Sequence, residues 1–198
     1  MSTTTSMVWP DPSAKKRQPR TSAAFVVRLL FGLIGIAGAV YLGIAQAEIR
    51  EVEAATASWL VNSGLLGLHP AQAHGPTVLV HMSPTVVRGF TISPECTSAF
   101  LIAPLLALAG GMVIFRNRVS MTRIYCSAFL AATLLFAANQ SRVVMIAEFV
   151  RYWGVADGYP LAHRVLGSLL ILAALVFTYM TFFLLTCRRP RQLPDSGN

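Results

Sequence analysis

Four long apolar stretches, at about 24–47, 97–115, 124–144 and 165–187, set the limits on what this chain can fold into. A helix crossing the roughly 30 Å hydrocarbon layer of a bilayer, at about 1.5 Å per residue, needs about 20 mainly apolar residues. All four stretches are of that order, and the last contains no charged residue. A soluble domain cannot hide this much apolar surface in one core, with 55% hydrophobic and 12% charged residues in 198 and a mean hydropathy of +0.59. The expected fold class is an all-α integral membrane protein of about four transmembrane helices with a small extracytoplasmic β-rich loop.

The net charge of +8 raises the question of nucleic acid, but the basic residues do not line a soluble face with interleaved aromatics. They flank the apolar stretches instead, so the lipid bilayer is an expected partner and nucleic acid is not. Lys15, Lys16, Arg17 and Arg20 precede the first, Arg116, Arg118 and Arg123 separate the second from the third, and Arg188, Arg189 and Arg191 follow the fourth. The alternate segments balance Arg50, Arg88, Arg142, Arg151 and Arg164 against Glu48, Glu51, Glu53, Glu95, Glu148 and Asp157. The positive-inside rule then predicts a multi-pass protein of the plasma membrane with both termini cytoplasmic. Ala45-Gln46-Ala47 ends the first stretch in the manner of a signal-peptidase site, yet that stretch exceeds the 7 to 15 residues of a signal h-region, so retention is expected.

The expected organisation is a disordered basic cytoplasmic tail over 1–22, a membrane-embedded domain over 23–187 with an outer loop at 48–96, and a cytoplasmic tail over 188–198. Ile49, Val52, Trp59 and Leu60 recur at near-helical spacing and predict either a helix at the interface or a continuation of the first span. Val78, Leu79 and Val80, the Ser83-Pro84 turn signal, then Val86, Val87, Phe90, Thr91 and Ile92 predict an external β-hairpin.

Topology sorts the cysteines. Cys126 opens the third stretch and Cys187 closes the fourth, both toward the cytoplasm, where they serve as small apolar helix residues. Cys96 alone faces outward. Ser93 as N-cap and Pro94 as first helical residue place its thiol in the opening turn of the second span, where the helix dipole favours a reactive thiolate. A cysteine there is equally compatible with a structural role.

Asn139-Gln140-Ser141-Arg142 ends the third stretch, with Arg142 about 27 Å along the helix from Ile124 and Asn139 on its face, three residues away. An arginine there is costly near hydrocarbon unless it snorkels, pairs with a residue such as Glu148, or faces a wet cavity. Gly158, Tyr159 and Pro160 read as punctuation before the fourth span, with His163 in its first turn, either solvated or available for proton exchange. His69, His74 and His81 lack metal-ligand spacing, and no metal or cofactor is expected. Cysteine, arginine and histidine thus fall at one membrane level on three successive helices, supplying a nucleophile, an oxyanion partner and an acid/base.

Glu95-Cys96-Thr97-Ser98-Ala99, Asn139-Gln140-Ser141-Arg142 and His163-Arg164-Val165-Leu166-Gly167 occur in that order over about residues 75–185. This resembles the Cys, Asn-x-x-Arg and His-x-x-x-Gly pattern of exosortases and archaeosortases, membrane cysteine transpeptidases. Thr97, Ser98 and Ala99 stand where the family commonly has Ser-Gly, and the chain is a short form beside the eight-helix exosortases. The resemblance implies catalytic roles for Cys96, Arg142 and His163 with Asn139 and Ser98 in support. It also implies, as partners, exported proteins ending in a short motif, a transmembrane helix and a basic tail, cleaved and transferred to a membrane or surface acceptor. A non-enzymatic membrane scaffold, with Arg142 and Glu148 as a polar pair between helices, is the alternative; a small transporter would call for internal repeats and midplane polar residues, which the sequence lacks.

Overall fold

The computed structural model describes residues 22–63, 70–83 and 85–187. The two expected tails at 1–22 and 188–198, with their flanking basic residues, lie outside the described residues except for Ser22, which opens α1, and so do His69 and Pro84 of the predicted turn. The described chain is mostly helical and carries one small sheet. In order it forms α1 (Ser22–Ile44), α2 (Gln46–Asn62), β1 (Ala71–His74), β2 (Thr77–Ser83), β3 (Val86–Thr91), a 3₁₀ turn (Pro94–Cys96), α3 (Ala99–Phe115), α4 (Met121–Pro160), a π-helical segment (Leu161–Leu166) and α5 (Gly167–Cys187).

Two helical runs are long and apolar enough to cross a membrane, Ala23–Ile44 and Met121–Cys187, and Ala99–Phe115 is a shorter apolar helix. The second run folds back on itself. At Gly154 the backbone takes φ 78°, ψ 176°, a region closed to residues with a Cβ. Beyond that break Gly158 lies so close to the Phe149 carbonyl that no side chain would fit. The reversal lays α5 along α4, and Arg123 near the start of α4 donates to the Leu185 carbonyl near the end of α5 at 2.6 Å.

Three boundaries differ from the sequence expectation. The first apolar helix stops at Ile44, and α2 is a separate helix beyond Ala45. The third extends well past 144, because nothing before Gly154 breaks helical geometry. Gly158, Tyr159 and Pro160 are helical, so the punctuation sits four residues earlier than they suggest, and His163 occupies the wide π turn rather than the first turn of α5.

α1 packs along α3 through small residues. A Cβ on Gly110 would come within 2.5 Å of the Gly32 carbonyl oxygen, so the two backbones touch as in membrane helix pairs. Arg28 spans the same pair: its guanidinium donates to the carbonyls of Val113, Arg116 and Val119 at 2.8 to 3.0 Å, satisfying acceptors that the end of α3 leaves open.

The predicted hairpin is present as β2 and β3, joined by β1 into an antiparallel sheet of order β1-β2-β3. The sequence reading missed β1, a four-residue strand, Ala-Gln-Ala-His, with no β-branched residue; Gly75, at φ 56°, turns it into β2. α2 buries Glu53, Ala54, Ala57, Ser58 and Val61, a face at helical spacing. Its alanines and Val61 join Val78, Val80, Phe90, Cys96, Val143, Ile146 and Val150 in one core. A second core, including Leu105, Val113, Ile124, Leu135 and Phe182, holds α3, α4 and α5 together.

Candidate active site

Cys96 ends the 3₁₀ turn. Thr97 then extends, at φ −82°, ψ 143°, before Ser98 caps α3, so the thiol does not sit in the opening turn of that helix as the Ser93-Pro94 pattern predicts. Ser93 does stand at the N-cap and Pro94 at the first position, but of the 3₁₀ turn, and without a side-chain cap, since the Ser93 hydroxyl donates to Cys96 Sγ at 3.1 Å. Cys96 is 7% exposed, and its sulfur is held by a local hydrogen bond rather than aligned on a helix axis.

His163 meets it from the π segment. Sγ lies 3.7 Å from Nδ1 and 3.8 Å from Nε2, within reach for proton transfer to either nitrogen, and such contacts commonly tighten when substrate binds. Tyr159 stacks on the imidazole, centroids 5.0 Å apart and planes 9° from parallel, fixing the ring plane. Burial, then the positive charges of Arg142 and Arg164, hold the His163 pKa below its ordinary value against an opposing pull from Glu95. The ring is therefore neutral near pH 7 and able to accept a proton.

Arg142 approaches from α4, 8% exposed. Its Nη2 donates to the His163 carbonyl at 3.2 Å and lies 3.4 Å from Nδ1. Nη2 carries two N–H groups, so both contacts can form at once, and the tautomer decides which ring nitrogen trades the thiol proton. Gly167 makes room for it: a Cβ there would fall 2.7 Å from Arg142 Nε. Cys96, Arg142 and His163 line one narrow cleft, closed by Phe90, Thr91, Ile92 and Tyr159.

The two supporting residues meet elsewhere. Asn139, fully buried, makes no hydrogen bond to Arg142; its amide donates to Glu53 Oε1 at 3.1 Å. The same oxygen accepts the Ser98 N–H at 2.6 Å. Glu53, 0% exposed, thus ties α2, α4 and the loop that carries Cys96, a role the sequence reading did not assign. The signal was available, since Glu53 belongs to the small-residue face of Ala54, Ala57, Ser58 and Val61 while Glu48 and Glu51 do not. The Arg142–Glu148 pair, one of the alternatives for Arg142, is not formed; Glu148 lies 3.5 Å from Arg151. Cys126 and Cys187 are free and exposed on their helices. Among the described residues no group of three or more His, Cys, Asp or Glu side chains is placed to hold a metal ion. Comparisons with protein-family models, curated proteins and solved structures found no match for this chain.

Proposed function

We propose that this chain is a membrane cysteine transpeptidase of the exosortase/archaeosortase type. The observation that carries the reading is the convergence of Cys96, His163 and Arg142, from three separate segments, on one cleft. The sequence motifs supply the family resemblance. Exposed Phe25, Ile34, Phe129, Leu172 and Phe177 give the helices an apolar outer surface suited to lipid. In this reading α1, α3, the first part of α4 and α5 cross the plasma membrane, both termini are cytoplasmic, and the sheet and cleft face outward.

Cys96 Sγ adds to the carbonyl carbon of a membrane-tethered sorting signal while His163 takes the thiol proton. Arg142 stabilises the oxyanion. The tetrahedral adduct collapses, the C–N bond breaks, and the departing amine takes the proton from His163, leaving a thioester on Cys96. An acceptor nucleophile then gives its proton to His163 and attacks the thioester; Cys96 departs and recovers a proton from His163. Water entering in place of the acceptor gives hydrolysis.

The scaffold alternative reads Arg142 and Glu148 as a polar pair and predicts an inert Cys96; Glu148 lies 3.5 Å from Arg151, so a scaffold would hold Arg142 by other contacts. Replacement of Cys96 separates the two readings. Cys96→Ala should leave expression intact and abolish processing, so that full-length exported proteins with a C-terminal motif, helix and basic tail accumulate in the membrane. Unchanged processing would eliminate the transpeptidase.

A further inference from the structure

β3 is an outer strand of the sheet, and its hydrogen-bond parity can be read from the flanking contacts. The Ile92 N–H donates to the Pro76 carbonyl at 2.9 Å, and the His81 N–H to the Pro70 carbonyl at 3.1 Å. Antiparallel residues alternate between hydrogen-bonded and non-hydrogen-bonded pairs. With Thr77 opposite Thr91 and Val80 opposite Arg88, the residues that turn their main-chain groups toward β2 are Arg88, Phe90 and Ile92. Those of Val87, Gly89 and Thr91 point away from it. The 2.9 Å contact between the Thr77 and Thr91 hydroxyls fits the close side-chain approach of a non-hydrogen-bonded pair.

Val87, Gly89 and Thr91 are exposed, and among the described residues nothing hydrogen-bonds to their outward main chain. An open edge of this kind is a template for another strand. This edge also runs into the chemistry: Thr91 and Ile92 line the cleft that holds Cys96, Arg142 and His163.

We propose that an extended peptide docks on β3 as a fourth strand, in the order β1-β2-β3-substrate, and that this pairing delivers its scissile carbonyl to Cys96. Main-chain hydrogen bonds to Val87, Gly89 and Thr91 give a sequence-tolerant grip, while alternate side chains of the peptide provide selectivity. The inference rests on the transpeptidase reading and names how that site holds its substrate.

The test uses the full-length chain in membranes. Thr91→Pro removes an outward N–H and places a ring on the edge without touching the ladder to β2. Ala73→Pro makes a comparable change on the opposite edge of the sheet. Iodoacetamide alkylation of Cys96, which needs no strand pairing, reports whether the site is intact. Thr91→Pro should keep the alkylation rate and lose processing by about tenfold or more, the scale of one lost hydrogen bond with steric exclusion added. Ala73→Pro should process normally. If Cys96→Ala blocks processing while Thr91→Pro and Ala73→Pro process alike, edge docking is wrong and the transpeptidase stands. Should Thr91→Pro fail to accumulate, a photoreactive benzoylphenylalanine at Val87 in a Cys96→Ala chain decides. Crosslinks mapping just before the C-terminal transmembrane helix of exported proteins support the proposal; crosslinks only to lipid or to a second copy overturn it.

Discussion

Cys96 Sγ and His163 Nδ1 stand 3.7 Å apart although 67 residues separate them in the chain. The reversal at Gly154 makes this meeting possible, because it returns the chain along α4 and places the π segment beside the 3₁₀ turn. A thiol next to a neutral imidazole is the arrangement required for nucleophilic acyl transfer.

The pH dependence of processing follows from the environment of His163. Its pKa is lowered by burial, Arg142 and Arg164, so the neutral ring persists below the ordinary value of about 6.5. Processing should stay flat from about pH 8 to 6.5 and fall only at more acid pH. Because the folded chain favours the neutral form, the associated stability is complete above about pH 6.5 and is lost as pH falls through the lower folded value. His163→Ala should slow processing at pH 7 by about 100-fold or more. A processing rate already halved at pH 7 in the unmodified chain would contradict this.

Arg142→Lys keeps a positive charge but loses the planar fork. If Arg142 holds an oxyanion, the variant should accumulate normally and process about 100-fold more slowly, the scale of losing one oxyanion donor. A near-normal rate per unit of protein, measured beside Arg142→Ala, would leave Arg142 with no role beyond charge.

Gly167→Ala puts a methyl group where Arg142 Nε now packs and against the Ala162 carbonyl, each 2.7 Å away. Something must move, at a cost of about 1–3 kcal/mol. The expected result is a chain of lowered stability with impaired processing, because both the Arg142 side chain and the π-segment backbone at Ala162 must shift. Thermal unfolding in detergent and processing, measured together, check this; unimpaired processing would show that Arg142 need not hold its present position.

Glu53 offers a contrast between shape and chemistry. Glu53→Gln retains a carbonyl oxygen for the Ser98 N–H and should fold and process, whereas Glu53→Leu strands that N–H and the Asn139 amide in a buried space. The leucine variant should lose about 1–3 kcal/mol of stability. Equal melting temperatures for the two variants in detergent would deny the network its structural role.

Sidedness has its own reporter. An impermeant maleimide applied to intact cells should label Cys96, slowly because it is buried, and spare Cys126 and Cys187, both exposed on their helices and close to the Arg123–Leu185 contact. Labelling of Cys126 or Cys187 from outside would invert the proposed topology.

Much of this arrangement was legible in the sequence because apolar length, β-branched runs and three motif segments are local signals. Long apolar runs marked the helices, and Val78, Val80 and Phe90 marked the hairpin. Cys96, Arg142 and His163 were legible as a set because each falls at the outer boundary expected for its apolar stretch, although α4 runs on past Arg142. What the sequence withheld was geometry set by neighbours. Ser93-Pro94 reads as a helix start, yet Thr97 extends before α3 begins, with the Ser98 N–H taken by Glu53. Asn139 reads as a partner of Arg142 by spacing, but burial against α2 gives it Glu53 instead. The break at Gly154 was hidden because Gly158 and Pro160 are the stronger punctuation and both fit within the helix.

The clamp formed by Arg28 carries a consequence for biosynthesis. Its carbonyl partners lie 85 to 91 residues further along the chain. At about 5–20 residues per second, a ribosome takes roughly 4 to 18 s to make that length. During that interval α1 carries a guanidinium whose partners do not yet exist, so the first helix must wait, unclamped, for the turn between α3 and α4 to emerge. Once it emerges, the first helix is held to the third by its own arginine and by the contact of Gly32 with Gly110, so a cut after Ala47 would leave α1 bound to the rest of the chain rather than release it.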